Sequence, residues 1–441
     1  MSFNIGLSGL KAANKSLDVA GNNIANVATV GFKSSRAEFA DQYAQSIRGT
    51  SGGTDVGNGV YTSAVTQNFS QGSLSSGTGR SLDLAIQGNG FFMVSNNGEK
   101  LYTRAGNFHT DPKGYVVDNN GNNLQGYGVD ANGNVQSGVL ADLRVDSSNM
   151  PPKPTSLFTL SSNLDSTQPI ISKTFDVKDP SSYTNTISTS VYDSQGNEHT
   201  LSQYFTKTGT NTWSMHSLMD GRNISNPGTD PVVADETELT FDSSGNLLTS
   251  PPPTSTANIS VNPDGTFNIV NWVPAQSKTV GSVTTWGPNG ASANPSGIKL
   301  DMLATTQTAA PGGAIAKHQD GNNTGQITNM QVDASGNMFA TYSNGLSRVI
   351  GQVSLTTFAN VQGLEPAGGT MWRESYASGT AVTGAPDTGT LGYINGSSLE
   401  ESNVDLSDEL VELIKAQANY QANSKTISTE NTILQTTIQM T

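Results

Sequence analysis

The chain has 441 residues, of which 47 are Gly and 13% are charged, so it is richer in Gly and poorer in charge than an average globular protein. Its 22 Lys and Arg residues against 36 Asp and Glu residues give a net charge of −14, which excludes the basic surface that nucleic-acid binding requires. The absence of Cys excludes disulfides, a thiolate nucleophile and Cys-ligated zinc. No apolar run approaches the roughly 18 residues of a membrane span, and residues 1–30 lack the continuous apolar segment of a cleavable signal peptide.

Residues 3–28 are predicted to form a coiled-coil helix because their apolar residues follow the spacing of a heptad repeat. The stripe consists of Phe3, Leu7, Leu10, Leu17 and Ile24, with Asn14 and Gly21 at the remaining heptad positions. A polar side chain in such a stripe lowers stability but fixes the register of the packed helices. We therefore expect this stripe to pack against other helices.

Residues 405–440 are predicted to form a second coiled-coil helix, since the same spacing returns at the C-terminus. Its stripe consists of Leu406, Leu410, Leu413, Tyr420, Ile427, Leu434 and Ile438, with Gln417, Ser424 and Asn431 at the intervening positions. Asp405 or Ser407 is the predicted N-cap, and the acidic residues that follow suit the positive end of the helix dipole.

The middle of the chain is predicted to be antiparallel β structure. Asp-x-x-Gly-Asn, a type I turn sequence, begins at Asp118, Asp130, Asp193, Asp242 and Asp333. Gly, Ser and Thr-rich stretches predict extended connectors at residues 31–79 and 378–402. Residues 80–149 with 316–377 form the predicted discontinuous β domain, and residues 150–315 a second β domain inserted into it. The predicted fold is thus mainly β, with nested β domains between the paired helices of residues 1–30 and 403–441.

Motifs for chemistry are missing from this pattern. The Asp-x-x-Gly-Asn segments lack the alternating oxygen ligands and the final Glu of a calcium loop. The four His residues have no metal-ligand spacing, and no Gly-x-Ser-x-Gly motif accompanies them. The Gly residues at 88 and 90 precede a predicted strand rather than the helix of a dinucleotide-binding site. The sequence therefore predicts no catalytic, cofactor or metal site, and no enzyme.

The two terminal helices indicate self-assembly. Each lies beyond a loose connector, and the sequence predicts no third helix to cover them. Helices this polar are marginal alone and gain order by packing against further copies. A polymer of identical subunits is the function that these features favour.

Several segments resemble the bacterial flagellar rod and hook proteins. Residues 21–33, which read Gly-Asn-Asn-Ile-Ala-Asn-Val-Ala-Thr-Val-Gly-Phe-Lys, resemble the N-terminal signature of that family. Residues 82–92 and 102–108 resemble its β domain, and residues 402–406 and 416–423 its terminal helix. The size of the predicted insert is more similar to hook proteins than to the shorter distal rod protein.

The resemblance implies a structural subunit of the flagellar hook, a curved hollow tube that transmits torque from rod to filament as a universal joint. It implies self-association and contacts with the distal rod, hook cap, hook–filament junction proteins and type III export apparatus. It also implies an extracellular location reached without a cleaved signal peptide. By the family pattern Ile24, Asn26, Phe32 and Lys33 belong to the helix end and connector that interlock neighbours. The Cys–Lys cross-link of some hook proteins is excluded here because the chain has no Cys.

Two alternatives stay open at this stage. One is the distal rod protein or another axial protein, whose polymer would be straight. The other, from a different class, is a secreted glycan-binding module or glycan-processing enzyme that stacks sugars on Trp213, Trp272 or Trp286, although a Trp in a β domain is more often part of the core.

The helix stripe gives a first prediction. Leu413→Asp places an unpaired charge in the predicted seam, which costs several kcal/mol by desolvation. We expect polymerisation to fail while the β domains still fold, as measured by electron microscopy and circular dichroism. Normal polymerisation of Leu413→Asp subunits would show that the seam lies elsewhere.

Overall fold

The computed structural model describes residues 2–42, 57–130, 133–146, 148–250 and 253–440. Part of the predicted connector, residues 43–56, lies outside this range. The described residues are mainly β, with two long α-helices. They divide into two compact units, the first formed by residues 1–147, 327–341 and 347–441 and the second by residues 148–326 and 342–346.

The helices and strands are numbered along the chain. The first part contains α1 (Ser2–Ala25), β1 (Ser35–Asp41), β2 (Val60–Gln67), β3 (Leu74–Ser76), β4 (Leu84–Gln87), β5 (Phe91–Asn96), β6 (Glu99–Thr103), β7 (His109–Thr110), β8 (Val116–Val117), β9 (Asn123–Val129) and β10 (Val135–Asp142). The middle contains β11 (Leu157–Asp165), β12 (Asn185–Tyr192), β13 (Glu198–Gly209), β14 (Thr212–Met219), β15 (Asp235–Thr240), β16 (Ile259–Val261), β17 (Phe267–Ile269), β18 (Ala275–Val280), β19 (Val283–Pro288), β20 (Ile298–Asp301), β21 (Thr306–Thr308) and β22 (Gly313–Gln319). The last part contains β23 (Ile327–Val332), β24 (Asn337–Tyr342), β25 (Ser347–Val353), β26 (Leu355–Thr357), β27 (Glu365–Gly368), β28 (Met371–Arg373), β29 (Val382–Gly384), β30 (Tyr393–Gly396), β31 (Ser398–Glu400) and α2 (Leu406–Gln439).

Both helices lie close to their predicted positions. Asp405 is the N-cap of α2, and its carboxylate accepts hydrogen bonds from the backbone N–H groups of Ser407 and Asp408 at 2.8 and 3.3 Å. At 1.5 Å per residue, α2 is about 50 Å long and α1 about 36 Å. α1 ends at Ala25, about three residues earlier than predicted, and the side-chain amide of Asn26 donates to the Asn22 carbonyl at 2.9 Å in its last turn.

The β part of the first unit is built around one large, mainly antiparallel sheet. Its main path runs β23-β24-β25-β9-β5-β6-β28-β27, so strands from both sides of the insertion alternate in it. Side chains of these strands and of β4, which belongs to a separate two-stranded sheet, form two apolar clusters, one that includes Leu84, Ile86 and Phe92 and one that includes Phe91 and Trp372. The returning chain pairs β30 with β4 and β31 with β3. These two pairings fix the segment before α2 to the segment after β2.

The Asp-x-x-Gly-Asn segments form the predicted turns. In each of them the Gly N–H donates to the Asp carbonyl at 3.0 to 3.1 Å, and the Gly adopts a positive φ. The segment from Asn262 to Gly265 forms the hairpin between β16 and β17. The reading of these motifs as structural turns is confirmed.

The second unit contains a two-stranded ribbon of β18 and β19 and two larger sheets that share one core. The six-stranded sheet holds β11, β16, β17, β20, β21 and β22, and the four-stranded sheet runs β12-β13-β14-β15. Their apolar side chains form a single buried cluster that includes Trp213 and Trp272, so neither side chain offers a surface to a sugar. The boundary predicted at 315/316 falls inside β22, which pairs with β11, and the first unit resumes only at Ile327.

The described residues contain neither a membrane-spanning helix nor a clustered set of metal ligands. Neither helix is long and apolar enough to cross a membrane. Among the same residues, no group of three or more His, Asp or Glu side chains is placed to hold a metal ion.

A buried His lies between two carboxylates in the second unit. His199 Nδ1 is 2.6 Å from Asp220 Oδ2, and its Nε2 is 3.2 Å from Asp193 Oδ2. The edge of the ring faces Trp272, with ring centroids 5.2 Å apart. Burial opposes the charge on the imidazole, but the hydrogen bonds and charges of Asp220 and Asp193 outweigh it and raise the pKa of His199 above its ordinary 6.5.

This arrangement predicts that the second unit loses stability at alkaline pH. Because the folded pKa is raised, the contribution of His199 is fully present below about pH 6.5 and is lost as pH rises through the folded pKa. Each unit of raised pKa contributes about 1.4 kcal/mol. Urea unfolding can be monitored by Trp fluorescence from about pH 6 to about pH 9. The free energy of unfolding should decline with pH in wild type, and this decline should be absent in His199→Gln. Equal pH profiles for the two proteins would contradict the assignment.

Candidate polymerisation interface

Helix α1 packs antiparallel against α2 through its smallest residues. A Cβ added at Gly6 would lie 3.0 Å from Ile427, and one added at Gly9 would lie 2.5 Å from Asn423. Near the other end of the pair, Asn23 Nδ2 donates to Glu409 Oε1 at 2.8 Å. The side of α1 turned inward, which is buried or half-buried, has heptad spacing and consists of Gly6, Gly9, Ala13, Ser16, Ala20 and Asn23.

The inward side of α2 is rotated by about one residue from the predicted stripe. Leu413 and Ile427 of that stripe are half-buried, as expected for a packed face, whereas Gln417 is exposed. Ala416 is buried in place of Gln417, and Asn423 is half-buried in place of Ser424. The least exposed positions of α2 in this region are Glu409, Leu413, Ala416, Asn423, Ile427 and Glu430, with Tyr420 at 38% exposure.

Most of the predicted interface side chains therefore face away from the helix pair. On α1, Phe3 (45% exposed), Leu7 and Asn14 are exposed, while Leu10, Leu17 and Ile24 are half-buried. On α2 the exposed members are Leu406, Leu410, Gln417, Tyr420, Asn431, Leu434 and Ile438. Val411 and Ile414, which the prediction did not include, are exposed by 51% and 63%. A single subunit therefore leaves apolar side chains exposed in the first turns of α1 and at several positions along α2.

The C-terminal third of α2 satisfies its own hydroxyl groups. Thr426, Thr429, Thr432 and Thr436 each donate to the backbone carbonyl four residues earlier, at 2.8 to 3.0 Å. These bonds turn the hydroxyls toward the helix backbone.

The β1–β2 ribbon lies along α1. Asn23 Nδ2 donates to the Ser35 carbonyl at 2.8 Å, and the Ser35 N–H donates back to Asn23 Oδ1 at 2.9 Å. Farther along the helix, the Val60 N–H donates to Ser8 Oγ at 3.2 Å. The helices and this ribbon thus form one surface.

A buried ion cluster holds the connector against the β part of the first unit. Glu400 lies between Lys33, whose Nζ is 2.5 Å from Oε1, and Arg104, whose Nη1 is 3.0 Å from Oε2. Lys33 also donates to the Ser70 carbonyl at 2.7 Å, and Gly72 N–H donates to Glu400 Oε1 at 3.0 Å. All three charged side chains are at least nine-tenths buried. Burial lowers the pKa of Lys33 and of Arg104, and the Glu400 carboxylate opposes both shifts.

Residues beside Lys33 complete this attachment. The Gly31 N–H donates to the Glu400 carbonyl at 2.8 Å. Gly31 has φ of 69°, and a Cβ there would lie 2.5 Å from the backbone N of Ala105, so only Gly fits. Phe32 is half-buried and lines a cleft of about 500 Å³ beside Trp372. The predicted residues Phe32 and Lys33 therefore anchor the connector within the subunit.

Four protein-family models match the chain in the order of these elements. "Flagella basal body rod protein" matches residues 3–33, and "Flagellar hook protein FlgE/F/G D1 domain" matches residues 85–156. "Flagellar basal body protein FlaE D2 domain" matches residues 163–322, and "Flagellar basal body rod FlgEFG protein C-terminal" matches residues 395–440.

Full-length relatives carry one description. The flagellar hook protein FlgE of Salmonella typhimurium is 37% identical over 444 residues, covering 100% of both chains. That of Borreliella burgdorferi is 32% identical, covering 99% of this chain and 98% of its own. The crystal structure of Helicobacter pylori flagellar hook protein FlgE2 matches 73% of this chain and 99% of its own, with 14% identity and a TM-score of 0.47.

Terminal helices with exposed apolar faces, matched at both ends by rod-protein models, define the chain as an axial protein of the bacterial flagellum. Within that class the chain belongs to the flagellar hook protein FlgE family, whose members are structural subunits of the hook and not enzymes.

The ion cluster generates a stability prediction. Glu400→Gln leaves Lys33 and Arg104 buried without a counter-charge, which we expect to destabilise the first unit by about 3–5 kcal/mol. Amide hydrogen exchange in β4, β30 and β31 should become more than about 100-fold faster. Glu401→Gln is the matched control, because Glu401 is exposed and its change should stay within about 0.5 kcal/mol. Equal exchange rates in the two variants would refute a structural role for the cluster.

Proposed function

We propose that this chain polymerises through the exposed faces of α1 and α2 into the curved hollow tube of the flagellar hook. The observation that carries this proposal is the set of apolar side chains that one subunit leaves exposed on both helices. Monomeric proteins rarely expose such a surface unless it contacts a partner. In the polymer, Phe3, Leu7 and Leu10 of one copy would contact Leu406, Leu410 and Leu434 of others.

In this proposal the parts of the chain take different roles. The paired helices of residues 1–30 and 403–441 form an inner tube around the export channel. The segments 31–79 and 378–402 connect it to the outer β domains, formed by residues 80–149 with 316–377 and by the insert at 150–315. The ribbon beside α1 and the anchored connector at Lys33 support this division because they tie the helix pair to the β part of the same unit.

The hook would act as a universal joint because its outer surfaces are polar and weakly charged. A joint needs contacts between neighbours that shift at little cost while the subunits stay bound. Polar surfaces with interfacial water permit several contacts of nearly equal energy, whereas a tight apolar interface fixes one. The inner helices then supply the permanent contact.

The proposal also names partners and a location. As a hook subunit the chain would meet the distal rod protein at one end of the tube and the hook–filament junction proteins at the other, under a hook cap during growth. It would leave the cell through the flagellar type III export apparatus without a cleaved signal peptide and act outside the cell.

The proposal predicts different defects for two neighbouring Leu residues of α2. Leu410→Asp puts a charge on the exposed face, so the monomer should keep its helix content while the concentration needed for polymerisation rises about 100-fold or more, as a cost near 3 kcal/mol implies. Leu413 is half-buried beside α1, so Leu413→Asp should also loosen the helix pair in the monomer. Leu410→Met is the matched control and should polymerise normally.

Electron microscopy of the purified full-length chain, with limited proteolysis of both termini, provides the measurement. Curved tubes whose termini are protected only in the polymer support the proposal. Straight polymers would favour an axial rod protein instead, and a Leu410→Asp chain that polymerises like wild type would show that this face is not the interface.

A further inference from the structure

A groove beside the start of α2 lies within the first unit and has a strongly acidic wall. It measures about 1060 Å³ and has an apolar floor that includes Val19, Ala20 and Val411. Its charged lining consists of Glu38, Asp408, Glu409 and Glu412 with Arg36 and Lys415. The two cations are already engaged, since Arg36 pairs with Glu38 at 3.1 Å and Lys415 with Glu412 at 3.3 Å.

In one subunit the groove has more acidic than basic side chains, so its negative charge is only partly neutralised. Burial, together with repulsion by Glu412 and Asp408, raises the pKa of Glu409 against the opposing hydrogen bond from Asn23. The three acids on α2, Asp408, Glu409 and Glu412, lie within about one helical turn of one another, so an approaching cation would relieve several repulsions at once.

Two Lys side chains of helix α1 carry positive charge that complements the acids of the groove, at a different position along the helix axis. Lys11 and Lys15 are exposed, and among the described residues no carboxylate lies within 4.0 Å of either ammonium group. They are four residues apart on one face, as Asp408 and Glu412 are on α2, so both pairs span about 6 Å. The spacing of the cations matches the spacing of the acids.

One subunit cannot bring these groups together. The antiparallel contacts of Gly9 with Asn423 and of Asn23 with Glu409 set the register of the helix pair. That register places Lys11 and Lys15 about nine residues, or roughly 13 Å, along the axis from Glu412 and Asp408. The pairing therefore requires a second copy displaced along the helix axis.

We propose that the groove receives the N-terminal part of α1 from a second copy of this chain, with Lys11 of that copy facing Glu412 and Lys15 facing Asp408. The inference rests on the proposed function and specifies how two copies align. Copies of one orientation keep α1 antiparallel to α2, so both pairs form at one axial offset of roughly 13 Å. The apolar residues Phe3, Leu7 and Leu10 precede these Lys residues on α1, so they would contact the neighbouring copy in the same interface. The pairing sets the register of the polymer, as complementary charges do between coiled-coil helices.

Charge reversal in the full-length chain tests the pairing. Lys11→Glu with Lys15→Glu, and separately Asp408→Lys with Glu412→Lys, should each slow polymerisation at least about tenfold at low salt, as followed by light scattering. A chain that carries all four changes should polymerise within about twofold of wild type, because each new Glu of one copy meets a new Lys of another.

A control separates pairing from net charge. Lys100→Glu with Lys278→Glu lowers the net charge by the same amount as the Lys11 and Lys15 changes, at exposed sites that do not line the groove, and should leave the rate unchanged. The two double reversals move the net charge in opposite directions, so a general charge effect cannot slow both. If the four-change chain is no faster than either double variant, the pairing is overturned.

Cross-linking gives an independent readout, because the natural chain has no Cys. Lys11→Cys with Glu412→Cys should be joined between copies in polymers treated with a short bismaleimide, which adds one thiol to each of its two rings and whose length replaces that of the two lost side chains. The roughly 13 Å axial separation within one copy is far beyond the reach of a direct disulfide and disfavours a link inside one subunit, so the product is a ladder of multimers on a denaturing gel. Intact tubes without a ladder would refute the pairing, whereas loss of tubes in Leu410→Asp alone would still support the proposed function.

Discussion

The close approach of α1 to α2 determines which surfaces this protein has available for assembly. Gly6 and Gly9 leave no side chain between the two helices, and Ile427 and Asn423 occupy that space. Because the small residues are turned inward, the larger side chains of α1, such as Phe3 and Leu7, are turned outward. Close packing of the two helix backbones thus stabilises the helix pair in the monomer. The exposed apolar side chains of both helices remain available for contacts between copies.

The second constraint is the burial of three charges where the connector meets the β strands. Glu400 belongs to β31, Arg104 follows β6, and Lys33 follows α1, so one carboxylate joins three distant parts of the chain. Buried ion pairs contribute little net stability but penalise any arrangement that separates them. The cluster therefore favours a single position of the connector, and that position fixes where the helix pair leaves the β part of the unit.

Periodicity in the sequence predicted the existence of both helices, and residue types predicted a cap at Asp405 or Ser407, the type I turns and the mainly β middle. It did not predict the face that α1 buries, because a heptad search weights large apolar residues and Gly6, Gly9 and Ser16 carry almost no such signal. The alternating three- and four-residue spacing of the small residues Gly6, Gly9, Ala13, Ser16 and Ala20 was the pattern that could have predicted this face. The ion cluster could not be predicted from local pattern, since Lys33 and Glu400 are 367 residues apart and meet only through strand pairing. The difference between the predicted and the observed inward face of α2 also depends on a contact between distant segments. The position of α1, whose small residues pack against α2, determines which side of α2 is buried.

The hydroxyl groups of the last turns of α2 have a mechanical consequence. Thr426, Thr429 and Thr432 direct their protons to their own backbone, which leaves methyl groups as the outward part of these side chains. A neighbour that packs against these Thr side chains meets no hydroxyl donor that must be matched at one position. Resistance to axial displacement at these positions then comes from surface shape, so a neighbour can shift past them at lower cost than past the charged residues near Asp408.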